Sequence, residues 1–257
     1  MPMQWTAIIL AGQRPGIDPL AAHFGQEYKA LVPIDGEAML THVVRSLHQC
    51  GEIGRIVVLG QQPQTLATAA EMGGGGEMRQ SSDGISKSLE QLMECGNLPF
   101  PWLVTTADHP LLTPAMVQEF IKEADGDLSI GMVEKQAMLA QFPDAKRTWL
   151  RFSDGAWSGA NLFAFTSDNV AAALRLWAAA EQDRKQAWKL FRHFGPILAL
   201  RALTRTIGLK SALEKAGTRL GLSAHLVSLS DPVAAIDVDK PADHALAVQI
   251  IASRKAL

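Results

Sequence analysis

The sequence predicts an α/β protein with a mostly parallel sheet and helices on both faces. Three observations predict it. Short apolar runs of strand length recur without charged residues, as strands buried on both faces require. Segments with helical spacing alternate with them. The connections are short and rich in glycine, proline and aspartate.

The first run, Thr6 to Ala11, ends at Gly12 and reads as a central strand. A polar loop containing glycine and proline follows to about Tyr28. Leu31 to Ile34 is a short apolar piece, closed by the turn pair Asp35-Gly36. From Met39 to Cys50, Leu40, Val43, Val44 and Leu47 fall on one helical face. Arg55 to Leu59 reads as the next strand, Pro63 to Met72 as a helix and Gly73 to Gly76 as a flexible loop. Ser86 to Glu94 reads as a helix with Leu89, Leu92 and Met93 inward. Trp102 to Ala107 is a strand. Thr113 and Pro114 supply an N-cap and a first helical residue for a helix to about Ala124. Leu128 to Val133 is a further strand. Trp149 to Phe152 and Asn161 to Phe165 flank Ser153-Asp154-Gly155, which predicts an antiparallel addition. Residues 166–220 read as largely helical. Ala224 to Leu229 and Ala235 to Val238 read as strands, and a helix from about Pro241 to Ser253 closes the chain. No linker forces a boundary, so 1–257 is one domain, with a variable insertion around 140–220.

Composition narrows the function. The chain has 257 residues, of which 47% are apolar, enough for a sizeable core. A net charge of −2 leaves no basic footprint and argues against a nucleic-acid partner. No apolar run is long enough to span a bilayer, and Met1 to Trp5 shows no signal-peptide pattern. Two cysteines, Cys50 and Cys95, make neither a disulfide framework nor a cysteine zinc site. A cytoplasmic protein is expected; a homodimer is compatible with the chain and not required by it.

In a parallel sheet, ligands bind beyond the carboxyl ends of the strands. Gly12 stands at that end of the first strand, where a glycine lets a phosphate approach the backbone. Arg14 and Lys29 in the same loop region are cations suited to a triphosphate. Neither the dinucleotide G-x-G-x-x-G nor the P-loop pattern is present. Asp108 ends a second apolar strand and is followed by His109-Pro110. One carboxylate there suits Mg²⁺, which keeps waters and phosphate oxygens, but it also suits a helix cap. Asp237 and Asp239 alternate in an extended segment and share a face opposite Val238. Asp239 is also a candidate cap of the last helix. Ser86 and Ser88 read from their place as caps of the helix that starts there. The tryptophans 149, 157, 177 and 188 read as core or pocket wall. The stretch Arg184 to Arg192 reads first as a solvated helix face and second as an anion contact.

These motifs together resemble the MobA-like NTP transferase family, that of the molybdenum-cofactor guanylyltransferase. Leu10-Ala11-Gly12-Gln13-Arg14, Lys29 to Gly36 and Met39-Leu40 resemble its opening, L-A-G-G-x-[ST]-x-R-[MF]-G followed by K-x-L-x-x-[IVL]-x-G-x-P-[ML]-L. Here one glycine stands where the family often has two, and the arginine comes early. Ala107 to Pro110 resembles the family's G-D-x-P, whose aspartate holds the metal. Ala235 to Asp243 is similar to its closing D-I-D-T-P-E-D-L. Gly84 to Leu89 resembles a G-x-x-x-S-L near the base and ribose, and Ser158 to Phe163 an acceptor-side G-x-N-x-F.

The resemblance implies a Rossmann-like GT-A nucleotidyltransferase fold with Mg²⁺ as cofactor. The reaction it implies moves NMP from an NTP to a small phosphorylated acceptor and releases pyrophosphate. CTP and GTP are both open as donors, with a slight tilt to CTP from Gly84 to Leu89. Lys29, Asp108 and Arg14 take catalytic roles in this reading. Leu10, Ala11, Gly12, Arg14, Lys29, Ser86, Ser88 and Asp108 bind the nucleotide. Asp108 and Asp237 hold the metal, and Asn161 contacts the acceptor. Two rivals stand beside it. A GT-A glycosyltransferase would carry D-x-D where this chain has Asp108-His109-Pro110. A non-catalytic nucleotide-binding protein would tolerate the shortened glycine loop.

Overall fold

The structure, a computed structural model, describes residues 4–13, 16–182 and 195–256. Its centre is β1 (Trp5–Leu10), buried at all six positions. After it come the short α1 (Pro19–His23), a 3₁₀ turn at Lys29–Leu31 and a small hairpin of β2 (Pro33–Ile34) and β3 (Glu37–Ala38). Asp35 and Gly36 both take positive φ, 54° and 85°, as the two central residues of so tight a hairpin require. Next are α2 (Met39–His48), β4 (Ile53–Gly60), α3 (Pro63–Met72), β5 (Glu77–Gln80) and α4 (Ile85–Cys95). The second half runs β6 (Trp102–Thr106), α5 (Pro114–Glu123), β7 (Leu128–Glu134), α6 (Lys135–Gln141), β8 (Leu150–Phe152) and β9 (Gly155–Phe165). It ends with α7 (Ala171–Gln182), α8 (Pro196–Leu203), α9 (Leu209–Leu220), β10 (Ala224–Ser228) and α10 (Pro241–Lys255).

The main sheet has the order β10-β7-β9-β6-β1-β4-β5, with β8 paired to β9. β1 pairs in parallel with both β4 and β6. β9 is inserted antiparallel between β6 and β7. The order reverses direction at β1, so the crevice between the carboxyl ends of β1 and β6 is the topological switch point.

Alternate residues of β1 feed two cores. Ala7 and Ile9 pack with Val43, Val44 and Leu47 of α2 and Leu66 of α3. Ile8 and Leu10 pack with Leu89 and Leu92 of α4 and with Leu174 of α7. Period-two strands and period-3.6 helices thus meet on both faces of the sheet. The antiparallel addition at Ser153 to Gly155 is present as the β8–β9 pair. Three elements differ from expectation. β5 and α6 were not foreseen. The strand expected over Ala235 to Val238 is absent: Pro232–Ala235 is a 3₁₀ turn and Ile236 to Asp239 is extended but unladdered. That segment lies beyond the ends of the strands, and Val238 N–H reaches the Asp108 carbonyl at 2.9 Å instead of a neighbouring strand. The basic stretch Arg184 to Arg192, with Trp188, lies outside the described residues.

Candidate active site

β1 delivers the glycine loop to the switch point. Leu10 and Ala11 are buried, and the Ala11 N–H is taken up by the Leu59 carbonyl at 2.8 Å. Gly12 follows, packed so closely that an added Cβ would meet the Gln61 amide at 3.0 Å. Gln13 stands where the family pattern has its second glycine. Its N–H donates to Gln61 Oε1 at 3.0 Å, and Gln61 Nε2 donates to the Gln13 carbonyl at 2.8 Å. Gln13 Oε1 in turn accepts from the Lys29 backbone N–H at 3.3 Å. The replacement therefore braces the loop to the end of β4 and to the residue carrying the cation. Arg14 lies outside the described residues.

Lys29 begins its 3₁₀ turn with its side chain directed across the crevice. Nζ donates to Asp108 Oδ2 at 2.6 Å and also to Asp239 Oδ1. Burial pulls the ammonium down, but the Asp108 and Asp239 carboxylates outweigh it, and its pKa ends above the ordinary lysine value. Asp108 immediately follows the β6 loop residue Ala107, whose N–H is fixed to the Leu10 carbonyl at 3.0 Å. Asp108 Oδ1 is buried and has no hydrogen-bond partner among the described residues.

The C-terminal segment supplies the other two acids. Val238 is fully buried, so Asp237 and Asp239 on either side of it turn toward the crevice. The face-sharing read from the sequence holds although the segment is no strand. Asp239 does not cap α10: Lys240 is the N-cap residue, and Asp243 accepts from the backbone N–H groups of Asp239 and Lys240 at 3.2 and 3.0 Å. Burial raises the Asp239 carboxyl but Lys29 overrides it, leaving the pKa lowered. Asp237 is raised, first by burial and then by Asp108 and Asp239, with Arg147 opposing.

Asp237 Oδ1 accepts from Arg147 Nη2, a residue the sequence reading passed over. Asp237 Oδ2 accepts from Asn161 Nδ2 at 3.2 Å. Asn161 reaches it through a bulge in β9. The β7–β9 register slips between Ile130 and Met132, and Asn161 takes a φ of 51°. Gly131 opposes the bulge; a Cβ there would press on Leu162 at 3.2 Å and Phe120 at 3.3 Å.

Ser86 and Ser88 sit differently. Ser86 is fully buried in the first turn of α4. Ser88 Oγ donates to the Gly84 carbonyl at 2.7 Å and accepts from the Ser82 N–H at 3.0 Å, a capping arrangement. His109 is buried with both ring nitrogens unpartnered among the described residues, and burial lowers its pKa to about 4. It is neutral near pH 7. Five charged side chains thus meet at the switch point: Lys29, Asp108, Arg147, Asp237 and Asp239. Among the described residues, no group of three or more His, Cys, Asp or Glu gathers closely enough to hold a metal by itself. No helix among them is long and apolar enough to cross a membrane.

Comparison with known proteins bears on the fold and the family. A hypothetical transferase from Thermus thermophilus superposes with a TM-score of 0.78 at 30% identity, over 94% of this chain and 100% of that one. A 4-diphosphocytidyl-2C-methyl-D-erythritol synthase from Anaerococcus prevotii matches at a TM-score of 0.59 and 12% identity, over 98% and 100% of the two chains. A CMP:2-keto-3-deoxy-manno-octonic acid synthetase in complex with CTP matches at 0.56 and 15%, with the same coverage of 98% and 100%. The last two share the fold. No curated protein matches the sequence. The sequence model of the MobA-like NTP transferase domain matches residues 7–215. The chain belongs to the MobA-like NTP transferase family and is an NTP-dependent nucleotidyltransferase.

Proposed function

We propose that the enzyme uses Mg²⁺ to transfer the NMP unit of CTP or GTP to a small phosphorylated acceptor, with Lys29, Asp108 and Asp237 at its working centre. The observation that carries this reading is the meeting of these three residues, far apart in sequence, at the switch point of the sheet. A residue set with no shared task has no reason to crowd three carboxylates around two cations there.

The carboxylates fit a hard divalent ion. Asp108 Oδ1 is buried and unpartnered among the described residues, and Asp237 Oδ2 takes one amide at 3.2 Å. Mg²⁺ favours one or two such oxygens and completes its shell with water and phosphate. Bound there, it would supply charge neutralisation at the α-phosphate and the leaving group. Lys29 spreads the charge of the departing pyrophosphate, and Arg14 is assigned the same task. The backbone at Gly12 holds the phosphates. Asn161, whose amide reaches Asp237 Oδ2, orients the acceptor. Little covalent work falls to the side chains; positioning and charge do most of it. The cytidylyl chemistry of two structural relatives favours CTP over GTP.

The test is a pyrophosphate-release screen of four NTPs against phosphorylated metabolites, with and without Mg²⁺. Release should require both acceptor and Mg²⁺, and CTP should be the fastest donor. NTP binding with no release across the panel, or hydrolysis of nucleotide-sugars without pyrophosphate, would overturn the reading.

A further inference from the structure

We propose that Arg147 receives the acceptor's phosphate, and that it does so by yielding Asp237 to the metal. The inference rests on the assignment of Asp237 as a metal ligand. Arg147 lies in the connection between α6 and β8, outside both elements. Its Nη2 donates to Asp237 Oδ1 and its Nη1 to the Asp237 carbonyl at 3.4 Å. Its Nε is buried and has no hydrogen-bond partner among the described residues.

Three features of this geometry favour an exchange. A guanidinium recognises phosphate through a planar edge of two N–H groups, most often with both bonds made at once. Arg147 instead leaves one buried N–H unmatched, an unfavourable state for a residue with a purely structural task. Its pairing with Asp237 therefore leaves recognition capacity unused. Next, a guanidinium held on Asp237 Oδ1 repels a divalent cation brought to the same carboxylate. The two cations therefore weaken each other's hold on one carboxylate. Finally, the two cations divide the three acids by side. Lys29 takes Asp108 and Asp239, beside the glycine loop. Arg147 takes Asp237, beside Asn161. In-line transfer sets the attacking oxygen opposite the leaving pyrophosphate. One cation thus serves the leaving group and the other the acceptor. When metal takes Asp237, the acceptor's phosphate gives Arg147 a new anion, and its charge is paired throughout.

The full-length chain and its Arg147→Ala and Arg147→Lys variants test this, with melting curves to establish folding. Mn²⁺ binding without nucleotide, followed by electron paramagnetic resonance, should tighten at least fivefold in Arg147→Ala, because the competitor is gone. With Mn²⁺ saturating, inorganic phosphate should bind the wild type at least tenfold more tightly than Arg147→Ala. Arg147→Lys keeps the charge but loses the fork, so its phosphate affinity should be intermediate. Mn²⁺ affinity unchanged or weaker in Arg147→Ala, or phosphate affinity equal in all three proteins, would overturn the proposal. Should Arg147→Ala not fold, phosphate affinity in Arg147→Lys equal to wild type would overturn it alone. These titrations need no turnover, so they decide on Arg147 even if the pyrophosphate screen fails.

Discussion

Lys29 is a single side chain shared by two carboxylates, one on the β6 loop and one near the C-terminus. Its removal leaves both acids facing each other and, on the proposed function, takes a cation from the triphosphate. Lys29→Ala should therefore raise the NTP KM by about tenfold or more; an unchanged NTP dependence removes Lys29 from the site. Asp108→Asn replaces a charged oxygen by a poor Mg²⁺ ligand of the same shape. It should lower kcat/KM by more than about 100-fold with little change in melting temperature. Near-normal Mg²⁺-dependent rates in that variant would refute the metal assignment. His109 offers a stability test with a defined sign. Unfolded, its imidazole takes a proton near pH 6.5; folded and buried, it does so only near 4. Between those values the unfolded chain binds more protons, so stability falls as pH drops from 6.5 to 4 and is unaffected by His109 above that window. The loss specific to His109 should be about 3 kcal/mol across the window. Urea unfolding of wild type and His109→Gln at pH 7 and pH 4.5 measures it; parallel losses in the two proteins would show that His109 contributes nothing.

The elements that aim these side chains differ in how well their sequences announce them. β1 and β6 were legible because an uncharged apolar run buried on both faces looks like nothing else of that length. α3 and α5 were legible because proline stands at their first turn and, in α5, the Thr113 hydroxyl caps the Met116 N–H. β5 was not, since Glu77, Arg79 and Gln80 are polar in an edge strand, where half the ladder faces solvent. The segment from Ile236 to Asp239 mimics a strand because Ile236 and Val238 are both buried while Asp237 and Asp239 are not, which gives the alternation without a ladder. Lys29, Asp108 and Asp237 were named from their places in loop, strand end and alternating segment and from the family pattern, and the fold brings them together. Arg147 was missed because no local period or motif marks a residue in an irregular connection; its partner lies 90 positions away. The β9 bulge is the least visible device of all, and Gly131 is its one trace. Gly131→Ala forces a Cβ onto Leu162 and Phe120. It should cost about 1–3 kcal/mol and, by shifting Asn161, raise the acceptor KM more than the NTP KM. A variant of wild-type stability and kinetics would show that the bulge tolerates a side chain and that Gly131 does not set the position of Asn161.

At the scale of the molecule, the site is built from four stretches that the sheet brings together: the glycine loop, Lys29, the β6 end and the segment after the last 3₁₀ turn. The matched family stretch, residues 7–215, ends before Asp237, so the chain's own C-terminal segment completes the carboxylate set. Val238 N–H on the Asp108 carbonyl and Lys29 on Asp239 join that segment to the first half of the fold. A ligand that binds all four stretches binds the folded chain and not the unfolded one. Its binding free energy then appears directly as global stability. At a nucleotide concentration 100 times Kd, the gain is about 2.7 kcal/mol, which for a chain of this size raises the melting temperature by roughly 5–10 °C. On the proposed function the shift should need Mg²⁺ and nucleotide together, because Asp108 and Asp237, from the two halves of the chain, would hold the metal that neutralises the triphosphate. Chelation of the metal should return the melting curve to that of the free protein. Asp108→Asn should remove the Mg²⁺-dependent part of the shift while its own melting temperature stays close to wild type. Thermal melts of the two proteins with CTP and GTP, each with Mg²⁺ and with chelator, measure this. An equal shift with chelator would mean that nucleotide is held without the two aspartates, and that the acids around Lys29 serve some purpose other than a metal.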